Sequence, residues 1–371
     1  MFMSRTKAGA LRTQEPLRIG FVPSTDSAPL IYAKESGLFE QHGLQVELKR
    51  ELTWSGVGDK VINGELDAAQ APAPLPFLAN LGVDSDPSAL VSAMITSSQG
   101  SAVTISKRLW GEGVRSPHNL MDLIHEGWGR RTCNFGVPSL YSTQRVLLEK
   151  WLRSGGINPS TQIRFIAVPA EHMFATLKLG YIDGYCAPEP WNSLAVQSGE
   201  GFCVATSPEL LPMRPETVLV VRQSFAAGAD DRHIALIRAM VEACSFADQA
   251  ENRAELADLL SQPGYVNAPH ACLVAGLQGP FSFGYDRAGV GPGLVFSRYN
   301  VNEPGDDNAR WLMQQVYEFL NLEGRQRDSR DRPPILKNVF RRDIFERATT
   351  SGGLNNPGSE INAEAGLVLA R

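Results

Sequence analysis

Two stretches of this 371-residue chain repeat one another: residues 64–74 read GELDAAQAPAP and residues 180–190 read GYIDGYCAPEP. Both fit Gly-x-(Leu/Ile)-Asp-(Ala/Gly)-x-x-Ala-Pro-x-Pro, and Leu78-Ala79 lies where Leu194-Ala195 lies. An apolar helical stretch precedes each, VGDKVING and EHMFATLKLG, and a second follows, LPFLAN and WNSLAV. The unit therefore reads helix, glycine cap, short strand, proline turn, helix. Gly64 and Gly180 suit the left-handed conformation that ends a helix. Asp67 and Asp183 open the strands, and the prolines stop them because they have no N–H to give a ladder. Proline is also accepted in the first turn of the helix that follows. A repeat of this kind limits the chain to two similar α/β units.

The remaining sequence alternates in the same way. LRIGFVP (17–23) predicts a strand, IYAKESGLFEQHG a helix and LQVELKREL a second strand. ALVSAMIT, SAVTISKR, RRTCNFGVP, QIRFIAVP, GFCVATS and ETVLVVRQSF predict further strands, and SLYSTQRVLLEKWLRSGG predicts a helix ended by glycines. Beyond about residue 230 the pattern is mostly helical, clearest in DRHIALIRAMVEACSFADQA and NARWLMQQVYEFLNLEG. Strands alternating with helices predict parallel or mixed α/β sheets, whose function sits outside the carboxyl ends of the strands. The proline turn after IDGYCA lies at such an end, as does the one after LDAAQA. Two units with facing strand ends enclose a cleft, and a turn that cannot sag would present Pro188, Glu189 and Trp191 to a ligand there. A carboxylate between two prolines is expected to stay out of the core, and to cap the following helix or face the ligand.

Composition removes several classes. A net charge of −5 gives no basic face for nucleic acid, and no apolar run approaches a bilayer span. The opening MFMSRTKAGALRTQEPLRIG has basic residues with no apolar run after them. With Met1 as the natural start, that predicts a cytoplasmic protein; a trimmed chain would leave a periplasmic one open. The five cysteines, Cys133, Cys186, Cys203, Cys244 and Cys272, are odd in number and scattered, and so predict buried thiols. The six histidines show no metal-ligand spacing, and no cofactor is expected. There is no GxSxG elbow, P-loop or GxGxxG after a first strand. An enzyme would have to use Cys186, which has no histidine near it in sequence.

Several segments together resemble the nitrate-binding branch of the periplasmic binding-protein superfamily. They are LRIGFVPSTDSAPLIYAKESGLFEQHGLQVEL, the tryptophan of LTWSGVGDKVINGELDAA, the KWLRSGGINP helix end, IDGYCAPEPWNS and NVFRRDIFERA. The resemblance runs from about residue 17 to about 350. It implies a two-lobed α/β clamshell with mixed sheets and a helical C-terminal part. Residues 17–104 would begin lobe 1, 105–213 form lobe 2, and 214–350 return to lobe 1, with 1–16 and 351–371 as flexible termini. It further implies a small oxyanion of the nitrate or nitrite type in the cleft. By the family's pattern Trp54 lines the pocket and Gln99 holds the anion, while Pro188 replaces a glycine beside Glu189.

Two positions depart from that pattern. Gln144 stands where the nitrate binders carry a histidine, and Thr217, in MRPETVLV, stands where they carry a lysine. Desolvating an anion without a charged partner is expensive. Gln99, Gln144 and Thr217 could donate in part and Arg214 could substitute, so a bicarbonate-like, neutral or organic ligand stays open. The branch includes a cytoplasmic nitrate/nitrite sensor that restrains an antiterminator protein, and solute receptors that serve ABC permeases. The absent leader favours the sensor. Enzymes of the pyrimidine-synthesis or desulfinase type belong to the wider superfamily and are the third reading. The arginine-rich stretch 323–345 reads as a solvated connection, or as a partner surface for a sensor.

Overall fold

The computed structural model describes residues 15–83, 86–127, 132–227, 231–322 and 339–350. The terminal stretches expected to be flexible, and most of 323–345, lie outside these. Two five-stranded sheets carry the fold. The first is built from β1 (Leu17–Phe21), β2 (Val46–Arg50), β3 (Ala68–Pro72) and β4 (Leu90–Ser98). The second takes β5 (Ser101–Ser106), β6 (Cys133–Val137), β7 (Ile163–Ala167), β8 (Gly184–Pro188) and β9 (Gly201–Thr206). β10 (Pro215–Arg222) then returns to the first sheet, giving the orders β2-β1-β3-β10-β4 and β7-β6-β8-β5-β9. In each sheet four strands share one direction and the inserted one, β10 or β5, runs antiparallel to both neighbours. The expected α/β clamshell with mixed sheets is therefore what the chain forms.

The repeated unit has a structural meaning that its letters only half disclose. Asp67 donates its backbone N–H to the Arg18 carbonyl at 2.9 Å and accepts the Arg18 N–H on Oδ2 at 2.9 Å. Asp183 does the same with Asn134 on β6, at 2.7 and 2.8 Å. The aspartates thus tie β3 to β1 and β8 to β6 before regular pairing begins. Arg18 also pairs with Asp67, and Arg108 with Asp183. Gly64 and Gly180 both adopt left-handed φ, +80° and +76°, as helix caps. Because the Asp183 side chain is almost wholly buried, Asp183→Ala strands the Asn134 N–H and should cost roughly 2–4 kcal/mol in urea unfolding.

One local expectation needs correction. IYAKESGLFEQHG is two helices, Ala28–Glu35 and Leu38–Gln41, because Gly37 at φ +75° breaks the run. The C-terminal part is mostly helical, as expected, with β11 (Phe281–Gly284) and β12 (Arg287–Gly289) forming a hairpin between the helices His270–Leu277 and Asp306–Leu322. Helices cover both faces of the first sheet. One core gathers around the helix Arg232–Asp248, and the other holds Trp54, Phe77 and the helix Asp306–Leu322. A separate core with Phe135 and Trp151 fills the second unit.

The chain crosses between the sheets at Gln99–Gly100 and again between β9 and β10. Gln99 (φ +64°), Gly100 (φ +90°) and Met213 (φ +59°) are all left-handed, so the conformations uncommon for side-chain-bearing residues sit at both crossings. A methyl group at Gly100 would lie 2.5 Å from Leu294 Cδ1. Gly100→Ala therefore combines an unfavourable φ with a clash, and chemical denaturation should show a loss of roughly 1–3 kcal/mol.

Candidate functional site between the two sheets

β1 ends at Phe21 and the chain runs through the loop VPSTDS toward the second unit. There Thr25 donates its N–H and hydroxyl to the Glu189 carbonyl at 2.8 and 3.1 Å, and Trp191 Nε1 donates to the Pro23 carbonyl at 3.0 Å. On the opposite flank Thr143 donates to the Pro215 carbonyl at 2.8 Å, and Gln144 Nε2 donates to Glu216 Oε2 at 2.8 Å and to Ser101 Oγ at 3.2 Å. All but the Gln144–Ser101 bond join groups of one unit to groups of the other. The carboxyl ends of the parallel strands are thus held against each other through polar side chains.

Behind these bonds lies a buried polar cluster. Ser97 and Ser24 donate to the two oxygens of Asp26, at 2.7 and 3.3 Å. The Thr217 hydroxyl lies 2.6 Å from Ser97 Oγ and 2.7 Å from Thr96 Oγ1, and accepts from Gln70 Nε2 at 3.2 Å. β10 enters the first sheet with register shifts against β4 on both sides of Thr217. β10 is a central strand buried along nearly its whole length, so consecutive residues Glu216 and Thr217 are both buried. Burial pushes the Asp26 carboxyl up to about 6, against the Ser97 and Ser24 hydrogen bonds, which pull it down. Burial and then the Asp26 charge push Glu216 well above the ordinary carboxylate range, while the Ser101 hydroxyl opposes them.

The residues expected at the site fall in several places. Trp54 opens the helix Trp54–Asn63 and is buried in the cluster containing Val22, Ala71, Ala73 and Phe77. Its helix is capped by Thr53, whose hydroxyl accepts from Gly56 N at 3.1 Å, so Thr53→Ala should cost about 1 kcal/mol in thermal melts. Gln99 is buried at the first crossing and directs its amide toward Met213 at the second. Pro188 ends β8 opposite Ser101. Gln144 and Thr217 belong to the network just described.

Glu189 requires a correction: it is fully buried, with none of its surface exposed. It caps the next helix, as one expectation had it, Oε2 accepting from Ser193 N at 3.2 Å, while Oε1 meets no donor among the described residues. Burial pushes it up to about 7, against the Ser193 and Asn192 hydrogen bonds, which pull it down. Gly276 backs onto it so closely that an added Cβ would lie 2.8 Å from Glu189 Cβ.

Arg214, weighed as a substitute cation, places its guanidinium over Trp311, 5.0 Å from the ring centroid. Cys186 is fully buried, and burial with the Glu216 charge pushes its thiol far above the ordinary value, the opposite of an activated nucleophile. All five cysteines are free and buried, and among the described residues no group of three His, Cys, Asp or Glu side chains could hold a metal ion. A surface depression of about 260 Å³ lies elsewhere, between the helices Thr143–Ser154 and Asp306–Leu322, lined by Lys150, Trp311 and Glu318 among others. The sequence reading missed Asp26, Gln70, Ser97 and Glu216. Only the polar run PSTDS directly after the first strand offered a local signal.

Residues 11–261 match the NMT1-like family. The chain is 34% identical over 337 residues to the nitrate import ATP-binding protein NrtC of Synechocystis sp., covering 90% of this chain and 49% of that one. It thus spans about half the length of that relative. It is 25% identical over 359 residues to the nitrate/nitrite binding protein NrtA of Nostoc sp., covering 94% of this chain and 80% of the other. The crystal structure of the periplasmic nitrate-binding protein NrtA from Synechocystis PCC 6803 superimposes with a TM-score of 0.85 at 23% identity, over 92% of this chain and 90% of that one. The fold is periplasmic-binding-protein-like, and the NrtA relatives that match over most of their length are binding proteins by name. By the match over most of its length, this chain belongs to the NMT1-like family.

Proposed function

We propose that the protein captures a small polar solute between its two units and that closure around the solute is its output. The observation that carries this is the buried polar network at the facing strand ends, drawn from both sheets and from the crossings between them. Such a network is expensive to bury for stability alone, and it stands where α/β sheets place their ligands. The names of the relatives, nitrate and nitrite proteins, support a solute of a few heavy atoms. A bound solute should raise the melting temperature by mass action, by about 2.7 kcal/mol of stabilisation at a hundredfold excess over Kd. Small-angle scattering on the same samples should show a smaller radius of gyration. Neither change with any small polar solute would defeat the reading.

We read the output as sensing. The match to about half of a nitrate import ATP-binding protein supports this, because ATP is found on the cytoplasmic side of the membrane. Closure changes the surface offered to a partner only if the solute binds the closed form better. An antiterminator-type partner is supported by resemblance alone. The second reading, a receptor delivering solute to an ABC permease, is supported by the match to the binding protein NrtA. Among the described residues no helix is long and apolar enough to cross a membrane. Recovery of the native protein from the periplasm would sink the sensor and favour the receptor.

A further inference from the structure

Two oxygens of the buried network between the sheets, Gln70 Oε1 and Glu216 Oε1, stand without donors among the described residues. The Gln70 amide reaches Asp26 through two hydroxyls, Thr217 and Ser97, so its free oxygen belongs to the same cluster. Asp26 stands near enough for its charge to act on Glu216. Among the described residues neither acid is in an ion pair, and Arg214 is directed to Trp311. Gln144 spends its amide N–H groups on Glu216 and Ser101, so the residue at the family's histidine position attends to an acid of the cleft.

We propose that the cleft takes a small solute whose buried head is a donor-rich cation, an ammonium or an amidinium, held by the carboxylates of Asp26 and Glu216 and the amide oxygen of Gln70. The inference rests on the solute-capture reading above and names the solute's chemical class. Two carboxylates sharing a dry space repel one another, and a cation between them relieves both charges at once. It also supplies N–H donors to oxygens that otherwise go without, in the charge-assisted geometry that carboxylates bind most strongly. An oxyanion at the same place would be met only by carboxyls that keep their protons, so the two classes of solute move protons in opposite directions on binding.

Calorimetric titration of the whole chain at pH 7.5 tests this, with methylammonium, acetamidinium and guanidinium chlorides set against sodium nitrate, nitrite and bicarbonate. Each titration is run in two buffers of different ionisation enthalpy, alongside melting and scattering measurements. At least one cation is expected to bind, to release protons as the carboxyls ionise, and to bind more tightly at pH 8 than at pH 6. Asp26→Asn and Glu216→Gln should each weaken that binding at least about tenfold. Should either amide variant fail to fold by circular dichroism, Gln70→Met, which removes only the amide, is expected to weaken binding in the same sense. Cation binding that these variants leave unchanged overturns the proposal. So does binding of an oxyanion with proton uptake and none of the cations; that result leaves solute capture standing. Silence from every solute, with no change in melting or scattering, overturns both.

Discussion

Asp26→Asn should make the ligand-free protein more stable at pH 8, although the residue lies at the centre of the site. The carboxyl is raised from 3.8 to about 6 by burial, so its contribution is fully present below about pH 4 and is lost as pH rises through about 6. A shift of about two units corresponds to roughly 3 kcal/mol of penalty for the buried anion at pH 8. Asparagine removes the charge at constant shape but accepts less well from Ser97 and Ser24. The net gain should be about 1–2 kcal/mol at pH 8 and absent, or reversed, at pH 4. Glu189, raised to about 7, adds to the same trend in the wild type. His233 acts the other way: burial pushes it down to about 4, so its contribution is present above about 6.5 and is lost as pH falls through about 4. The ligand-free protein should therefore melt highest in mildly acid buffer. A variant that melts lower than wild type at pH 8, with its circular dichroism intact, would contradict this account. A site that costs stability in its empty form is what a binding function leaves behind.

Trp191→Ala should cost about 3–5 kcal/mol in urea unfolding, among the largest effects of any single substitution in the chain. The indole follows β8 of the second sheet in sequence, yet it packs into the largest core, with helices that cover the first. Its Nε1 donates to Pro23, and its carbonyl accepts from the buried Tyr185 hydroxyl at 2.8 Å. Trp191→Phe separates the contributions: it keeps much of the ring and loses the bond, leaving the Pro23 carbonyl without its donor at a cost of about 1–3 kcal/mol. Equal losses for the two variants would mean that the hydrogen bond, not packing, holds the units together here.

The fold was legible because its punctuation is local. Glycine caps, paired prolines and an aspartate at the mouth of a strand act on their immediate neighbours, and they recur at 64–74 and 180–190 with the same consequences. The hairpin of β11 and β12 was illegible because glycines on either side of it mask short strands. The cleft was half legible. Gln144 and Thr217 were reached through family resemblance, and both take part in the buried network. Asp26, Gln70 and Glu216 were passed over because what distinguishes them is burial and company. Ser97 meets Asp26 across 71 residues, and Gln70 meets Thr217 across 147. Glu189 was misjudged for the same reason, since sequence shows an acid where the folded protein holds a fully buried carboxyl raised to about 7.

The place of β10 has a consequence for how the molecule is made. Its strand lies between β3 and β4, which do not touch one another without it, yet it is synthesised only after the whole second sheet. Until residue 222 has emerged from the ribosome, the earlier half of the protein carries two naked strand borders facing an empty slot. Borders of that kind recruit strands from other chains. Newborn copies should therefore depend on chaperones for longer than their size alone would require.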